Sequence, residues 1–190
     1  MVVGVIACGQ SSEGWFNTTH DYTIGVNDCF RFGHPVNELL LINQPKSFTP
    51  ERLETIKSTK FDKVLTHSGT WDKIFPQNER IRLQSFSKHL KKGHVYSSKT
   101  SPFVAASLAF NMGASDIILH GVDLISHPAI KDKLLNYEIR NIQNFTRMLA
   151  DQGTKTWLAK DYGALTKILN VWELKMYLMS EYLHTIKYDI

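Results

Sequence analysis

The stretch KTSPFVAASLAFNMGASDIILHGVDL, residues 99–124, is the clearest indication of a fold in this sequence. It contains a polar turn, a helix of small apolar residues over 102–112, a bend, and an apolar strand over 116–122. Alanine and serine side chains allow such a helix to pack closely on a sheet. Hydroxyl groups stand before the helix, and Asp123 follows the strand. We therefore expect a rigid helix–strand unit that presents polar groups at its ends.

Strands and helices alternate along the rest of the chain. VVGVIAC, residues 2–8, is a continuous apolar run, typical of a strand buried on both faces of a parallel sheet. Further strands are predicted at 22–26, 38–42, 62–67, 94–98 and 155–159, and further helices from Pro50 onward, at 131–152, at 163–169 and at 171–186. Residues 68–93 fit a loop, an edge hairpin or both. The alternation predicts an α/β fold: a mostly parallel central sheet with helices on both faces, in a single domain over 1–190.

The composition is that of a soluble globular protein. Of the 190 residues, 43% are hydrophobic and 21% charged, so one core can form without disulfides or metals. Cys8 and Cys29 fall near the ends of two separate predicted strands and are interpreted as buried thiols without a disulfide, as in a reducing compartment. No apolar run is long enough to span a bilayer, and residues 2–8 are too short for a signal peptide, so we expect a cytoplasmic location.

The net charge of +4 leaves the choice of partner open. Basic residues cluster in KHLKKGH, residues 88–94, which is either a solvated loop or a site of attraction for a polyanion or nucleotide phosphates. No basic stripe interleaved with aromatic residues is present, so no nucleic-acid partner is predicted. No metal-binding motif is present either, and no metal site is predicted.

The turn after the first strand is the first candidate ligand site. In open parallel sheets, ligands bind beyond the carboxyl ends of the strands. The first strand leads to GQSS, which comprises Gly9, Gln10, Ser11 and Ser12. A glycine there lets the backbone approach a ligand, and the amides that follow can hold an anion. The alternative interpretation is a plain turn.

Asparagines follow the second and third strands. Asn27 comes after YTIGV and Asn43 after ELLLI. A side-chain amide has both a donor and an acceptor, which suits a sugar hydroxyl or the edge of a base. The alternative is that each asparagine caps a turn.

The ends of the 99–124 unit supply the remaining candidates. Thr100 and Ser101 stand where the helix begins, either as an N-cap or as ligands for a phosphate, which the positive end of a helix attracts. Asp123 either accepts hydrogen bonds from a ligand hydroxyl or orders its own turn. His127 is the candidate general acid or base, because histidine titrates near neutral pH.

Four segments together resemble a known group of enzymes. They are ACGQSS (7–12), GVNDCFRFG (25–33), LLLINQP (39–45) and the 99–124 stretch. Their order and approximate spacing are similar to those of the bacterial sialyltransferases that use CMP-sialic acid, and the related archaeal hydroxymethylpterin diphosphokinase-like proteins share the plan. The resemblance covers residues 2–125, about two thirds of the chain.

The resemblance implies a Rossmann-like α/β domain with a nucleotide crevice. The positions that match contacts to CMP in the sialyltransferases are Gly9, Gln10, Asn27, Asn43 and Ser101. The segment LISHPAIKDKLLNYEI, residues 124–139, is shorter than its counterpart and has no tyrosine directly after the matched strand. Sialyl transfer itself is therefore not implied.

Three functional hypotheses follow. The first is a transferase that binds a nucleotide or nucleotide sugar, with His127 as the base; no other cofactor is firmly implied. The second is a non-catalytic nucleotide-binding module. The third is a homo-oligomeric scaffold, in which the C-terminal helix within 171–190 packs on a partner copy instead of on its own domain.

Overall fold

The computed structural model describes residues 1–29, 34–59, 61–86, 90–97, 100–122, 144–160 and 167–170. Its strands are β1 (Val2–Ile6), β2 (Tyr22–Val26), β3 (Glu38–Leu41), β4 (Lys63–Thr66), β5 (Glu79–Arg80), β6 (Leu83–Ser85), β7 (Val95–Ser97), β8 (Asp116–His120), β9 (Lys155–Lys160) and β10 (Lys167–Asn170). Its helices are α1 (Pro50–Ser58) and α2 (Ser101–Asn111), and residues 144–151 are also helical. None of these helices has the length and apolar character that a bilayer span requires.

Eight strands form one sheet in the order β10-β9-β8-β1-β2-β3-β4-β5. Every neighbouring pair is parallel except β9 and β10. The chain moves outward from β1 to β5 on one side and then returns to place β8 on the other side. The strand order therefore reverses between β1 and β8, which is where parallel sheets form their ligand crevice.

Both faces of the sheet are covered, as the alternating pattern predicts. Side chains alternate along β1, so that Val3 and Val5 join one hydrophobic core and Ile6 joins the other. The first core contains α2 and residues of the 144–151 helix; the second contains Ile56 of α1. The prediction of one α/β domain with a mostly parallel sheet and helices on both faces is thus confirmed.

Helix α2 reaches from one edge of the sheet toward the other. Residues 112–115 alone separate its last residue from β8, so α2 ends near the amino edge of the sheet. Ala105, Ala106 and Ala109 are almost fully buried, and these small side chains bring the helix close to β1, β2 and β8. The 11 residues of α2 span about 16 Å, the length of a five-residue strand, which brings its first turn to the carboxyl edge.

Two predicted elements differ in the structure. The helix predicted at 163–169 is wrong for residues 167–169. These residues belong to β10, in which Ile168 pairs with Ala159 of β9. Sheet pairing there outweighs local helical propensity. No hairpin occurs in the described part of 68–93, since β5 pairs in parallel with β4 and β6 with β7. The predicted helix at 171–186 lies outside the described residues.

The pairing of β1 with β8 continues past the ends of both strands. The Ala7 N–H donates to the His120 carbonyl at 2.8 Å, and the Gly9 N–H donates to the Gly121 carbonyl at 3.0 Å. Gly121 has a φ of 68°, and a Cβ there would stand 2.7 Å from the Ala7 carbonyl oxygen and 2.8 Å from the Ser12 Cβ. Glycine is therefore required at this position both for backbone conformation and for space.

A pair of imidazole rings, one of them fully buried, joins β8 to the loop before β2. The Nε2 atoms of His20 and His120 are 3.0 Å apart, so one ring donates a hydrogen bond to the other. Gly4 leaves room for this pair, because a Cβ there would stand 2.6 Å from the His20 ring. His120 is fully buried. Burial, with a smaller effect of His20, lowers the pKa of His120 to about 3, and burial also lowers the pKa of His20.

The first prediction concerns Gly121. We expect Gly121→Ala to destabilise the fold by about 2–4 kcal/mol. Alanine disfavours the left-handed backbone conformation, and its Cβ would be too close to its neighbours. Gly113→Ala is the matched control, because Gly113 has a φ of 86° with no atom within 4 Å of an added Cβ, and only the backbone cost of about 1 kcal/mol applies. Urea unfolding of both variants measures the difference. If both variants lose the same free energy of unfolding, the packing around Gly121 has room for a Cβ and the prediction is wrong.

The second prediction concerns the histidine pair and pH. The unfolded chain takes up a proton at His120 near its ordinary pKa of 6.5, whereas the folded chain does so only near pH 3. The free energy of unfolding therefore decreases as the pH falls from 7 to 5, by about 2 kcal/mol for His120. Urea unfolding at the two pH values should show a smaller decrease in His120→Gln than in His67→Gln, which alters an exposed histidine. Equal decreases would contradict the assignment.

Candidate functional site

The parallel register brings three of the candidate residues to one edge of the sheet. Strands β1, β2 and β3 are consecutive neighbours in the sheet, and Gly9, Asn27 and Asn43 follow them in that order. Gly121 joins this edge through its hydrogen bond with Gly9. The edge is the one that the sequence predicts for ligand binding, and the first turn of α2 approaches it from one face.

The turn after β1 is held mainly by its own contacts. Ser12 has no exposed surface, and its N–H and its hydroxyl both donate to the Gly9 carbonyl, at 3.1 and 2.7 Å. Ser12 therefore holds the turn from inside, and its assignment as a ligand contact stays a prediction. Ser11 is 9% exposed. The backbone of Gln10 lies in this 3-10 turn, and its side chain lies outside the described part of the structure.

Asn27 adopts a backbone conformation that few side chains tolerate. Its φ is 56°, in the left-handed region where asparagine is favoured among non-glycine residues. Its N–H donates to the Leu40 carbonyl at 3.1 Å, which fixes the backbone against β3. Its side-chain Oδ1 is buried and has no hydrogen-bond partner in the described part of the chain. A buried oxygen without a donor costs about 1–3 kcal/mol, so this atom is ready to accept a hydrogen bond.

Asn43 is held by its backbone and exposes its side chain. Its carbonyl accepts a hydrogen bond of 2.8 Å from the Trp71 indole Nε1. Trp71 is fully buried and packs edge-on against Phe48, with ring centres 5.8 Å apart. The backbone of the residue is thus anchored, while its amide faces solvent.

Thr100 stands at the N-cap of α2 without acting as a cap. Its backbone has the extended conformation of an N-cap residue, with φ −118° and ψ 140°, but its side chain makes no capping hydrogen bond. Its Oγ1 is buried and has no partner among the described residues. Ser101, the first residue of the helix, is 9% exposed. The N-cap interpretation of Thr100 therefore leaves its hydroxyl unexplained.

An acid–base cluster that the sequence did not reveal lies beside Asn27. Asp28 is 3% exposed, and its carboxylate accepts two hydrogen bonds from Arg52, one of them from Nε at 2.8 Å. The Cys8 thiol donates toward the same carboxylate, with Sγ 3.3 Å from Oδ1. The Arg52 guanidinium also lies 5.2 Å from the centre of the Phe48 ring. One sequence signal was available: a cation in the first turn of a helix opposes the helix dipole unless it has a partner.

The charges in this cluster are fixed by their mutual contacts. Burial acts to raise the pKa of Asp28, but the hydrogen bonds and charge of Arg52 outweigh it, and the pKa lies below its ordinary value. Burial and the adjacent carboxylate raise the pKa of the Cys8 thiol. Neither Cys8 nor Cys29 forms a disulfide. The cluster therefore holds an ionised carboxylate and a protonated thiol.

Two candidates cannot be placed. Asp123 and His127 lie outside the described residues. Within the described ranges, no three His, Cys, Asp or Glu side chains are grouped as they would be around a metal ion.

The fold is similar to that of solved sialyltransferases. The sequence matches no family model, and no curated protein matches it. The structure of the sialyltransferase CstII from Campylobacter jejuni in complex with the substrate analogue CMP-3FNeuAc is 12% identical to this chain, with a TM-score of 0.50 over 83% of this chain and 79% of that one. A structure of the sialyltransferase CST-II with a trisaccharide acceptor and CMP is 13% identical, with a TM-score of 0.48, over 83% and 80%.

The similarity between this chain and CstII is a similarity of fold. At this identity it supports the distant sialyltransferase-like, Rossmann-like architecture that the four sequence segments imply. The CstII structure with CMP-3FNeuAc is that of a sialyltransferase, so the diphosphokinase-like part of the expectation stays a prediction. This chain has a Rossmann-like α/β fold similar to that of the sialyltransferase CstII.

Proposed function

We propose that this protein is a transferase that binds a nucleotide or nucleotide sugar at the carboxyl edge of its sheet. The observation that carries the proposal is that two of the buried polar atoms without a partner among the described residues, Asn27 Oδ1 and Thr100 Oγ1, belong to candidate site residues. The others in that part of the chain are Trp15 Nε1, His120 Nδ1 and Thr156 Oγ1. Buried polar atoms in folded proteins are nearly always hydrogen-bonded, and exceptions call for an explanation such as a ligand. Both atoms belong to residues beside the predicted crevice.

Each group suits a different part of a nucleotide. The Asn27 carbonyl oxygen accepts a hydrogen bond from an amino group of a base or from a ribose hydroxyl. The Thr100 hydroxyl donates to a phosphate oxygen, which the positive end of α2 also attracts. The exposed amide of Asn43 contacts the base or the ribose, and Gly9, Gln10, Ser11 and Ser101 line the phosphate side. In this proposal Ser12 supports the turn from inside.

The transfer step is assigned to the segment after β8. In the proposal His127 removes the proton of an acceptor hydroxyl as the new glycosidic bond forms, and the nucleotide leaves with the electrons of the broken bond. Asp123 accepts a hydrogen bond from a ligand hydroxyl. CstII, whose fold this chain shares, was solved with CMP-3FNeuAc, and CMP is accordingly the first nucleotide to test.

The third prediction is selective nucleotide binding through Asn27. Calorimetric titration with CMP, UDP, GDP and ADP should give saturable binding of at least one of them. Asn27→Gly keeps the left-handed backbone and removes the amide, so we expect it to weaken that binding about tenfold, as for one lost hydrogen bond of about 1.4 kcal/mol. Gln77→Ala removes an exposed amide between β4 and β5 and serves as the control, with unchanged affinity.

The same titrations separate the hypotheses. Binding of none of the four nucleotides by the parent chain refutes the proposed function. Binding, followed by release of the nucleotide from its sugar conjugate that stops in His127→Ala, supports the transferase. Binding with no turnover of any conjugate identifies the non-catalytic module instead.

The fourth prediction separates binding from stability at Thr100. The hydroxyl has no partner to lose among the residues that the structure describes, so Thr100→Val should leave the melting temperature unchanged or raise it. The same variant should weaken nucleotide binding about tenfold, whereas Thr100→Ser, which keeps the hydroxyl, should bind like the parent. Thermal unfolding and calorimetry on the three proteins provide the measurement. A lower melting temperature with unchanged affinity would make Thr100 a structural residue.

A further inference from the structure

The Asp28 carboxylate lies where three segments of the carboxyl edge meet. Asp28 itself directly follows Asn27 at the end of β2. Its first partner, Cys8, comes from the end of β1, and its second, Arg52, comes from the first turn of α1 after β3. One nearly buried carboxylate therefore connects the ends of β1 and β2 to the start of α1.

The contacts of Cys8 enclose Asn27 from both sides. The Cys8 Sγ atom is 3.1 Å from the carbonyl oxygen of Val26 and 3.3 Å from Oδ1 of Asp28. These are the residues immediately before and after Asn27. The backbone of Asn27 is in the left-handed region, so a small rotation on either side would redirect its side chain. The thiol and the carboxylate together restrict that rotation.

Arg52 holds the other side of the carboxylate in a fixed orientation. Its Nε and Nη2 atoms bind the two different oxygens of Asp28, a two-point contact that fixes the plane of the carboxylate as well as its position. Phe48 lies against the guanidinium, which limits the positions that Arg52 can take. The anchor is thus rigid at both of its ends.

We propose that Asp28, held by Arg52 and Cys8, is the positioning residue of the nucleotide site and acts through Asn27. Its carboxylate touches no ligand; it fixes the backbone that directs Asn27 Oδ1 into the crevice. This inference rests on the proposed function, because it assigns a role toward the same nucleotide.

A purely structural ion pair would behave differently from a positioning group. Loss of a structural pair lowers stability, and any loss of affinity would be independent of whether Asn27 has a side chain. Loss of a positioning group weakens binding only while the Asn27 amide is present to be misplaced. A double-mutant cycle between Asp28 and Asn27 distinguishes the two cases.

The experiment measures the dissociation constant of the tightest-binding nucleotide among CMP, UDP, GDP and ADP, by calorimetry on the full chain. We expect Asp28→Asn to weaken binding at least tenfold in the parent background and less than twofold in the Asn27→Gly background. If Asp28→Asn instead weakens binding by the same factor in both backgrounds, the inference is overturned and the proposed function is left intact. Absence of binding by the parent chain would overturn both.

Four further variants keep the test decisive. Should Asp28→Asn fail to fold, the cycle is run with Arg52→Lys, which keeps the charge and removes the two-point contact. Cys8→Ser keeps a hydrogen-bond donor and should bind the nucleotide as tightly as the parent, whereas Cys8→Ala should bind it severalfold more weakly. Equal affinities of these two variants would overturn the role of Cys8. Asp72→Asn breaks a second Asp–Arg pair among the described residues, the exposed contact of 2.5 Å between Asp72 and Arg80, and should not change affinity.

Discussion

The hydrogen-bonded register between β1 and β8 is the constraint on which the rest of the structure depends. It joins residues more than 100 positions apart, pairing Val2 with Asp116 at one end and Ile6 with His120 at the other. The pairing then continues through Gly9 and Gly121 beyond the strands. Because of this register, the reversal of strand order falls beside the turn after β1, where the ligand crevice is predicted. A one-residue slip would reverse the facing of every side chain on β8 and would place His120 in the wrong core.

The polar groups along the carboxyl edge divide into satisfied and unsatisfied ones. Ser12 and Asp28 are buried and fully engaged with protein partners, and they hold the turns in place. Asn27 and Thr100 carry buried oxygens without partners in the described part of the chain, although the Asn27 backbone is bonded to Leu40 and Thr100 adjoins the first turn of α2. Rigid support beneath unsatisfied atoms is the arrangement that a binding site needs, because little ordering remains when the ligand arrives.

The sequence predicted the sheet well because its strands have a strong local signal. Continuous apolar runs such as residues 2–8 and 116–122 indicate buried parallel strands whatever their neighbours are. The strand at 167–170 was missed because its partner, β9, is what makes it a strand, and no local pattern reports such pairing. Among the candidate site residues, the positions of Asn27 and Asn43 at the carboxyl edge could be predicted because each comes within two residues of a strand end. The link from Asp28 to Arg52 spans 24 positions, and only the fold brings such residues together.

The β5 edge of the sheet has a consequence for self-association. An exposed edge strand presents unpaired backbone groups that can recruit a second sheet, and short, charged edges oppose this. Strand β5 has only two residues, Glu79 and Arg80, and both are in ion pairs, with Lys63 at 3.3 Å and with Asp72. A second copy that added a strand here would find little backbone to bind and would have to disturb both ion pairs. The short charged edge thus protects this side of the sheet against aggregation.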